Sequence, residues 1–436
     1  MIRRLDLRAT GLAAAPVPTV VPRAGAAADD VVETVRQVCD DVRDRGIEAI
    51  VEASRRYDGV EQADIAVPRD VIEAALERLD PDVRRGLEES IGRLRRTCEA
   101  ERERDVVTEV VPGGTVRRRI VPIGRVGLYV PGGLAPLVSS VVMNAVPAQV
   151  AGVPSIAVAS SPQREHDGWP HPTILAACAL LGLDEVYAVG GAQAVAMFAY
   201  GAGPCRPVDL VAGPGNSYVV AAKRLLKGRI GIDSEAGPTE IAILADGGAD
   251  PAGVAADLIS QAEHGPTSAS VLVTDSESLV DGVAVELDRQ VAATKHRERI
   301  KAALSGEQSA VVLVDDLEQG LAVIDAYAPE HLEIHAADAG DVAMRVRNAG
   351  AIFVGQWAPV SLGDYCAGSN HVLPTGACAC HSSGLTVRSF SKTVQVVTWS
   401  EAALRASRDN VVALAEAEDL PAHGAALRIR VDDGTP

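Results

Sequence analysis

From residue 126 onward, short apolar runs alternate with segments of helical period. Residues 126–130, 155–159, 185–189 and 208–211 read as strands, and 173–181, 193–200 and 218–226 as helices. A second series starts at 240–244. It continues with a helix over 250–264, a strand at 270–274, a helix around 277–294, a strand at 310–314, a helix near 317–327 and a short strand after His331. Strands that are apolar throughout suit a sheet covered on both faces, and regular strand–helix alternation marks parallel βαβ units. The pattern predicts an α/β protein with two Rossmann-like parallel-sheet modules.

The flanks read differently. Val31, Val32, Val35 and Val38 recur at helical spacing, with Asp29 and Asp30 as candidate caps. A helix follows Gly46, and two more run over 69–79 and about 82–104, the last rich in Glu and Arg. Two β-branched runs, 106–111 and 115–121, flank Pro112-Gly113-Gly114 as a hairpin. The early helices are expected to pack on the second module. The division predicted is an N-terminal arm (1–28), a larger discontinuous α/β domain (29–127 and 240–384), a second α/β domain (128–239) and a tail (385–436). The tail holds a β-branched run, a helix over 401–417 and a segment in which Pro421 leaves His423 in a loop. A tail outside both sheets suits docking on another subunit.

Composition narrows the function. At 436 residues the chain has length for two or three domains, and with 3% aromatics its cores must be built from Ala, Val, Leu and Ile. A net charge of −18 argues against nucleic acid. No stretch offers the roughly 18 uninterrupted apolar residues of a membrane span. Seven cysteines without paired spacing suit a reducing, cytoplasmic setting. Cys378-Ala379-Cys380-His381 looks like half a metal site and, lacking a second half, is read as structural.

Several stretches could carry chemistry. Ala328-Pro329-Glu330-His331-Leu332 sets a carboxylate beside an imidazole, the side chain that titrates near neutrality. The pair is a candidate acid–base couple or a loop-surface pair. Gln261 and His264 sit three apart at a helix end closed by Gly265-Pro266, where the dipole favours a cation or simply the His. Residues 361–371 place Asp364 and His371 in a Gly-rich loop, a ligand or an Asx-type turn. His423 follows Glu418 in the tail. Three Gly-containing strand-to-helix turns, at 129–133, 189–193 and 212–216, have the setting of phosphate-binding turns, but none fits G-x-G-x-x-G.

Together these stretches resemble the histidinol dehydrogenase family. The resemblance runs from about residue 30 to 428 and rests on motifs in the right order. These are VGLYVPGG (126–133), SSVVMN-VPAQ-AGV (139–153), VGGAQAVA (189–196), GPGN (213–216), AGPTEI (236–241), ISQAEH (259–264), APEHLEI (328–334), SLGDYCAGSNHVLPT (361–375) and EDLPAH (418–423). Two departures are mild. Pro136-Leu137-Val138 stands where the family often has Tyr-Pro, in a loop near the cofactor, and Thr239 stands where many members have Ser.

The resemblance implies one zinc per subunit on Gln261, His264, Asp364 and His423, and an acid–base pair of Glu330 and His331. It implies NAD contacts at Tyr129, Gln193 and Asn216, and substrate contacts at Thr239, His371 and Glu418 besides the zinc ligands and His331. Because Glu418 and His423 lie in the tail, it also implies a homodimer in which each tail completes the partner's site. The implied reaction oxidises L-histidinol through L-histidinaldehyde to L-histidine with two NAD⁺, the last steps of histidine biosynthesis. A related zinc- and NAD-dependent dehydrogenase of another small primary alcohol is the alternative.

Overall fold

The two strand–helix series build two parallel sheets with the same strand order. The computed structural model describes residues 2–9, 21, 23, 31–61, 64–133, 135–235 and 237–432. Arg3–Asp6 forms β1, and Val106–Val111 (β2) with Gly114–Pro122 (β3) forms the hairpin. Val126–Val130 (β4), Ile156–Ser160 (β5), Val186–Ala188 (β6), Leu210–Ala212 (β7) and Gly231–Ile232 (β8) make one sheet, ordered β6-β5-β4-β7-β8. Glu240–Ala245 (β9), Ala269–Thr274 (β10), Ala310–Leu313 (β11), His331–His335 (β12) and Ala351–Val354 (β13) make the other, ordered β1-β11-β10-β9-β12-β13. All neighbours in both sheets are parallel. Setting β1 aside, both read third, second, first, fourth, fifth, the order of the first five strands of a Rossmann fold. Ser391–Trp399 (β14) pairs antiparallel with β3.

Burial explains the apolar strands. Every residue of β4, β9 and β10 is buried, because helices cover both faces. Each sheet separates two hydrophobic clusters.

Three findings differ from the sequence reading. The early helices pack on the first sheet, not the second. Val35, Cys39 and Ile50 join the cluster holding Ala157 and Val211, and Ile72, Leu87 and Leu94 join the one holding Leu128 and Val158. An apolar stripe says that a helix is covered, not by which sheet. Of the arm, Arg3–Asp6 is an edge strand beside β11, and Arg23 reaches Glu240. Residues 10–20, 22 and 24–30, which include the candidate caps Asp29 and Asp30, lie outside the described residues. Finally, Pro421 opens a helix, Pro421–Val431, so His423 sits in its first turn and not in a loop. Proline is pre-organised for the first helical position and ends a helix only from within.

The helix Val138–Ala151 was not visible in the pattern because it is buried on nearly all sides and has no polar face to set a period. No helix among the described residues is long and apolar enough to cross a membrane.

Candidate active site

The two sheets meet at opposite ends. The C-terminal ends of β4, β6 and β7 face the N-terminal ends of β9 and β12, where Glu240 and His331 are the first strand residues. Between them lies a cavity of about 1020 Å³. Tyr129, Gln193 and Asn216 line it from the first sheet, and His264 and Asp364 from the second. Five residues drawn from five separate motifs thus share one cavity.

Glu330 and His331, at the start of β12, are 6% and 4% exposed. Glu330 Oε2 accepts hydrogen bonds from Thr239 Oγ1 at 2.6 Å and from the Glu240 amide at 3.0 Å. Burial nevertheless pushes its carboxyl up to about 8. His331 Nδ1 lies 3.1 Å from the Glu240 carbonyl oxygen and 3.5 Å from Glu330 Oε2. A carbonyl oxygen only accepts, so the ring proton belongs on Nδ1. Nε2 is buried with no partner, and burial also lowers the pKa of the ring. The result is a neutral imidazole with a free lone pair.

The helix Pro251–Ala262 presents Gln261 at its last turn and His264 just beyond. Gln261 is 1% exposed, its amide donates to Thr239 Oγ1 at 2.9 Å, and its Oε1 has no partner. An unmet buried acceptor costs about 1–3 kcal/mol, so an oxygen left that way suits a cation. His264 Nδ1 lies 3.2 Å from the Gln261 carbonyl oxygen, which leaves Nε2 free. The short helix Val360–Tyr365 carries Asp364, whose backbone oxygen lies 3.0 Å from His371 Nδ1. Burial lowers the pKa of His371, against the pull of the Asp364 charge. An imidazole nitrogen, an amide oxygen and a carboxylate are donors of the kind that zinc takes, with room for a further ligand, and the orphaned Gln261 oxygen is the buried acceptor such an ion would satisfy.

On the first sheet, Tyr129 is buried and its hydroxyl accepts from the Gly191 amide at 3.1 Å. Gly213 has φ +119°, and a Cβ there would run into the Tyr129 carbonyl, so only glycine lets the third turn close on β4. Asn216 caps the helix Ser217–Leu226, with Oδ1 accepting from the amides of Tyr218 and Val219. Its side-chain amide stays available at a ten-residue helix N-terminus, a site for phosphate.

The remaining two predicted residues are not brought in within one chain. Glu418 and His423 are exposed on the tail, and among the described residues their side chains make no hydrogen bond or ion pair. Sequence reasoning also missed several residues. Glu240 holds both catalytic candidates through its backbone, and its own carboxylate pairs with Arg23 at 2.7 Å. Lys223 and Asp233 form a buried 2.5 Å ion pair that grips the turn at Gly213. Asp257, Glu333 and His335 bring their ligand atoms within 4.8 Å of one another. The signal for Lys223, Glu240 and Glu333 was a charge inside an otherwise apolar run.

Known proteins match this chain over nearly its whole length. The family model described as histidinol dehydrogenase matches residues 21–431. A curated histidinol dehydrogenase of Thermobifida fusca is 65% identical over 431 residues, covering 99% of this chain and 98% of its own. One from Mycobacterium tuberculosis is 57% identical over 437 residues, with 99% and 98% covered. The crystal structure of histidinol dehydrogenase from Elizabethkingia anophelis superposes with a TM-score of 0.93 at 30% identity, covering 99% of this chain and 98% of that one. A match of this length, with the cavity it encloses, places the chain in the histidinol dehydrogenase family of NAD-dependent oxidoreductases.

Proposed function

We propose that this chain oxidises L-histidinol to L-histidine through L-histidinaldehyde, in four electrons and two NAD-linked steps, at the end of histidine biosynthesis in the cytoplasm. The observation that carries it is the His331 ring, with Nδ1 at the Glu240 carbonyl oxygen and 3.5 Å from Glu330, and Nε2 buried without a partner.

Nε2 takes the hydroxyl proton as the carbinol carbon is oxidised. The lowered pKa keeps the ring neutral and able to accept. Glu330 then takes a proton from the water that attacks the aldehyde, and Nε2 takes the hydroxyl proton of the resulting hydrate as its carbon is oxidised. Two bases on different protons explain why an acid and an imidazole are adjacent. Thr239 links the Glu330 carboxylate to the Gln261 amide, so one hydroxyl keeps base and ligand in register. Tyr129, Gln193 and Asn216 would hold NAD, which when bound supplies the hydride acceptor for both oxidations. Zinc on Gln261, His264, Asp364 and the partner's His423 would hold the substrate by its imidazole and amino nitrogens. His371 and Glu418 would complete substrate recognition.

The tail supports a homodimer with shared sites. β14 is exposed along nearly its whole length, with Val394 and Val396 on one face and Val397 and Trp399 on the other. The strand leads through the helix Glu401–Ala417 to Glu418 and His423.

The test is NADH formed per L-histidinol consumed, before and after chelation. Two NADH per substrate, lost on chelation and restored by zinc, is the expected result. No NADH from metal-loaded protein would move the substrate to another small alcohol.

A further inference from the structure

We propose that Glu333 is a positioning residue that holds the three base- and ligand-bearing elements of the second sheet in register. It lies two residues after His331 on β12, hence on the same face of the strand. It is 0% exposed and so acts through its neighbours. Oε1 accepts from the Val360 amide at 2.7 Å, at the opening of the helix whose fifth residue is Asp364. Oε2 lies 3.1 Å from His335 Nε2. The Asp257 carboxylate lies within 4.8 Å of Glu333, one helical turn before Gln261 on the helix that leads to His264. One carboxylate therefore joins the strand of Glu330 and His331, the helix of Gln261 and His264, and the helix of Asp364.

Stability does not call for this arrangement. A buried ionic cluster is commonly matched or bettered by apolar residues of the same volume, whereas removing one member leaves the others unpaired. What the cluster supplies is a single fixed spacing between elements distant in sequence. Three ligand atoms within 4.8 Å also resemble a cation site. Both Glu333 oxygens are already engaged by partners inside the protein, so the group is closed on itself.

This inference rests on the zinc ligands proposed above, and the experiment separates the two. Zinc affinity is measured by competition with a chromophoric chelator on full-length protein, alongside metal content, melting temperature and NAD⁺ affinity. Glu333→Ala is expected to weaken zinc by about 10–100-fold, the usual effect of losing a group that orients ligands. Glu333→Gln keeps an oxygen for Val360 and an amide for Asp257, and should stay within about threefold of wild type on the same scale. NAD⁺ affinity should be unchanged in both. Should Glu333→Ala fail to fold, Val360→Pro removes the amide and keeps an apolar side chain at this buried position. Pro359 before it is already extended (ψ 153°), as a following proline requires, and zinc should again weaken.

A lower melting temperature with wild-type zinc affinity would overturn the proposal and leave a plain structural role. Glu333→Gln as weak as Glu333→Ala would overturn it in favour of charge. Two zinc ions per wild-type chain, one lost in Glu333→Ala, would make the cluster itself a metal site. A wild-type chain that binds no zinc removes the reading of the site first, and this inference with it.

Discussion

His331 Nδ1 lies 3.1 Å from the carbonyl oxygen of Glu240, and that contact decides which ring nitrogen can act as a base. Since the oxygen only accepts, Nδ1 keeps the proton and Nε2 keeps the lone pair. His331→Ala should abolish oxidation of both the alcohol and the aldehyde, by about 10²–10⁴-fold, the range of a lost general base. Single-turnover NADH formation from each substrate checks this. A variant that loses only one of the two steps would contradict it.

Glu330→Gln should behave differently. Gln cannot take the proton from water but can still accept from Thr239 and the Glu240 amide, so the pocket keeps its shape. Alcohol oxidation should persist and the aldehyde should accumulate, giving one NADH per substrate. Two NADH at the wild-type rate would remove Glu330 from its role.

The same residue sets a pH dependence. Its carboxyl is raised from 4.5 to about 8, chiefly by burial. A base must be ionised, so aldehyde oxidation should rise with pH through about 8. For stability the sign is the reverse. Below pH 4.5 both folded and unfolded states hold the proton and there is no cost. Between 4.5 and about 8 the unfolded state releases it first, so unfolding becomes easier as pH rises. Urea midpoints across that window should fall for the metal-free wild type, and fall less for Glu330→Gln.

The sheets were legible in the sequence because β4, β9 and β10 are apolar runs bounded by turns. Helices with one wet face were also legible. What escaped was partnership. Nothing in Val35 or Leu87 names the sheet it meets, and the buried helix Val138–Ala151 has no period to read. At the site, short motifs supplied residues already joined by sequence. Pairs far apart, such as Glu240 with His331 or Glu333 with Val360, are made by strand register and the packing of the β13-to-helix loop, and became visible only in three dimensions.

Lys223 and Asp233 are 2% and 3% exposed and grip both the amide and the carbonyl of Gly213. Lys223→Met strands a buried carboxylate and should cost about 3–5 kcal/mol in urea unfolding. The double variant with Asp233→Asn should recover part of that. NAD⁺ affinity should fall in the single variant, because the turn leading to Asn216 loses its anchor. Full stability in the single variant would mean that Asp233 finds water or another partner.

The tail makes the sharpest prediction about assembly. His331→Ala and His423→Ala should each be inactive alone. If each tail serves the partner, a mixed dimer of the two holds one site with both defects and one with neither. Random co-refolding makes half of the dimers mixed, so roughly a quarter of wild-type activity should return. If the tail served its own subunit, every site in the mixture would carry one defect and no activity would return. Glu418→Gln in place of His423→Ala should complement in the same way, because both residues lie on the same short stretch and are exposed in the single chain.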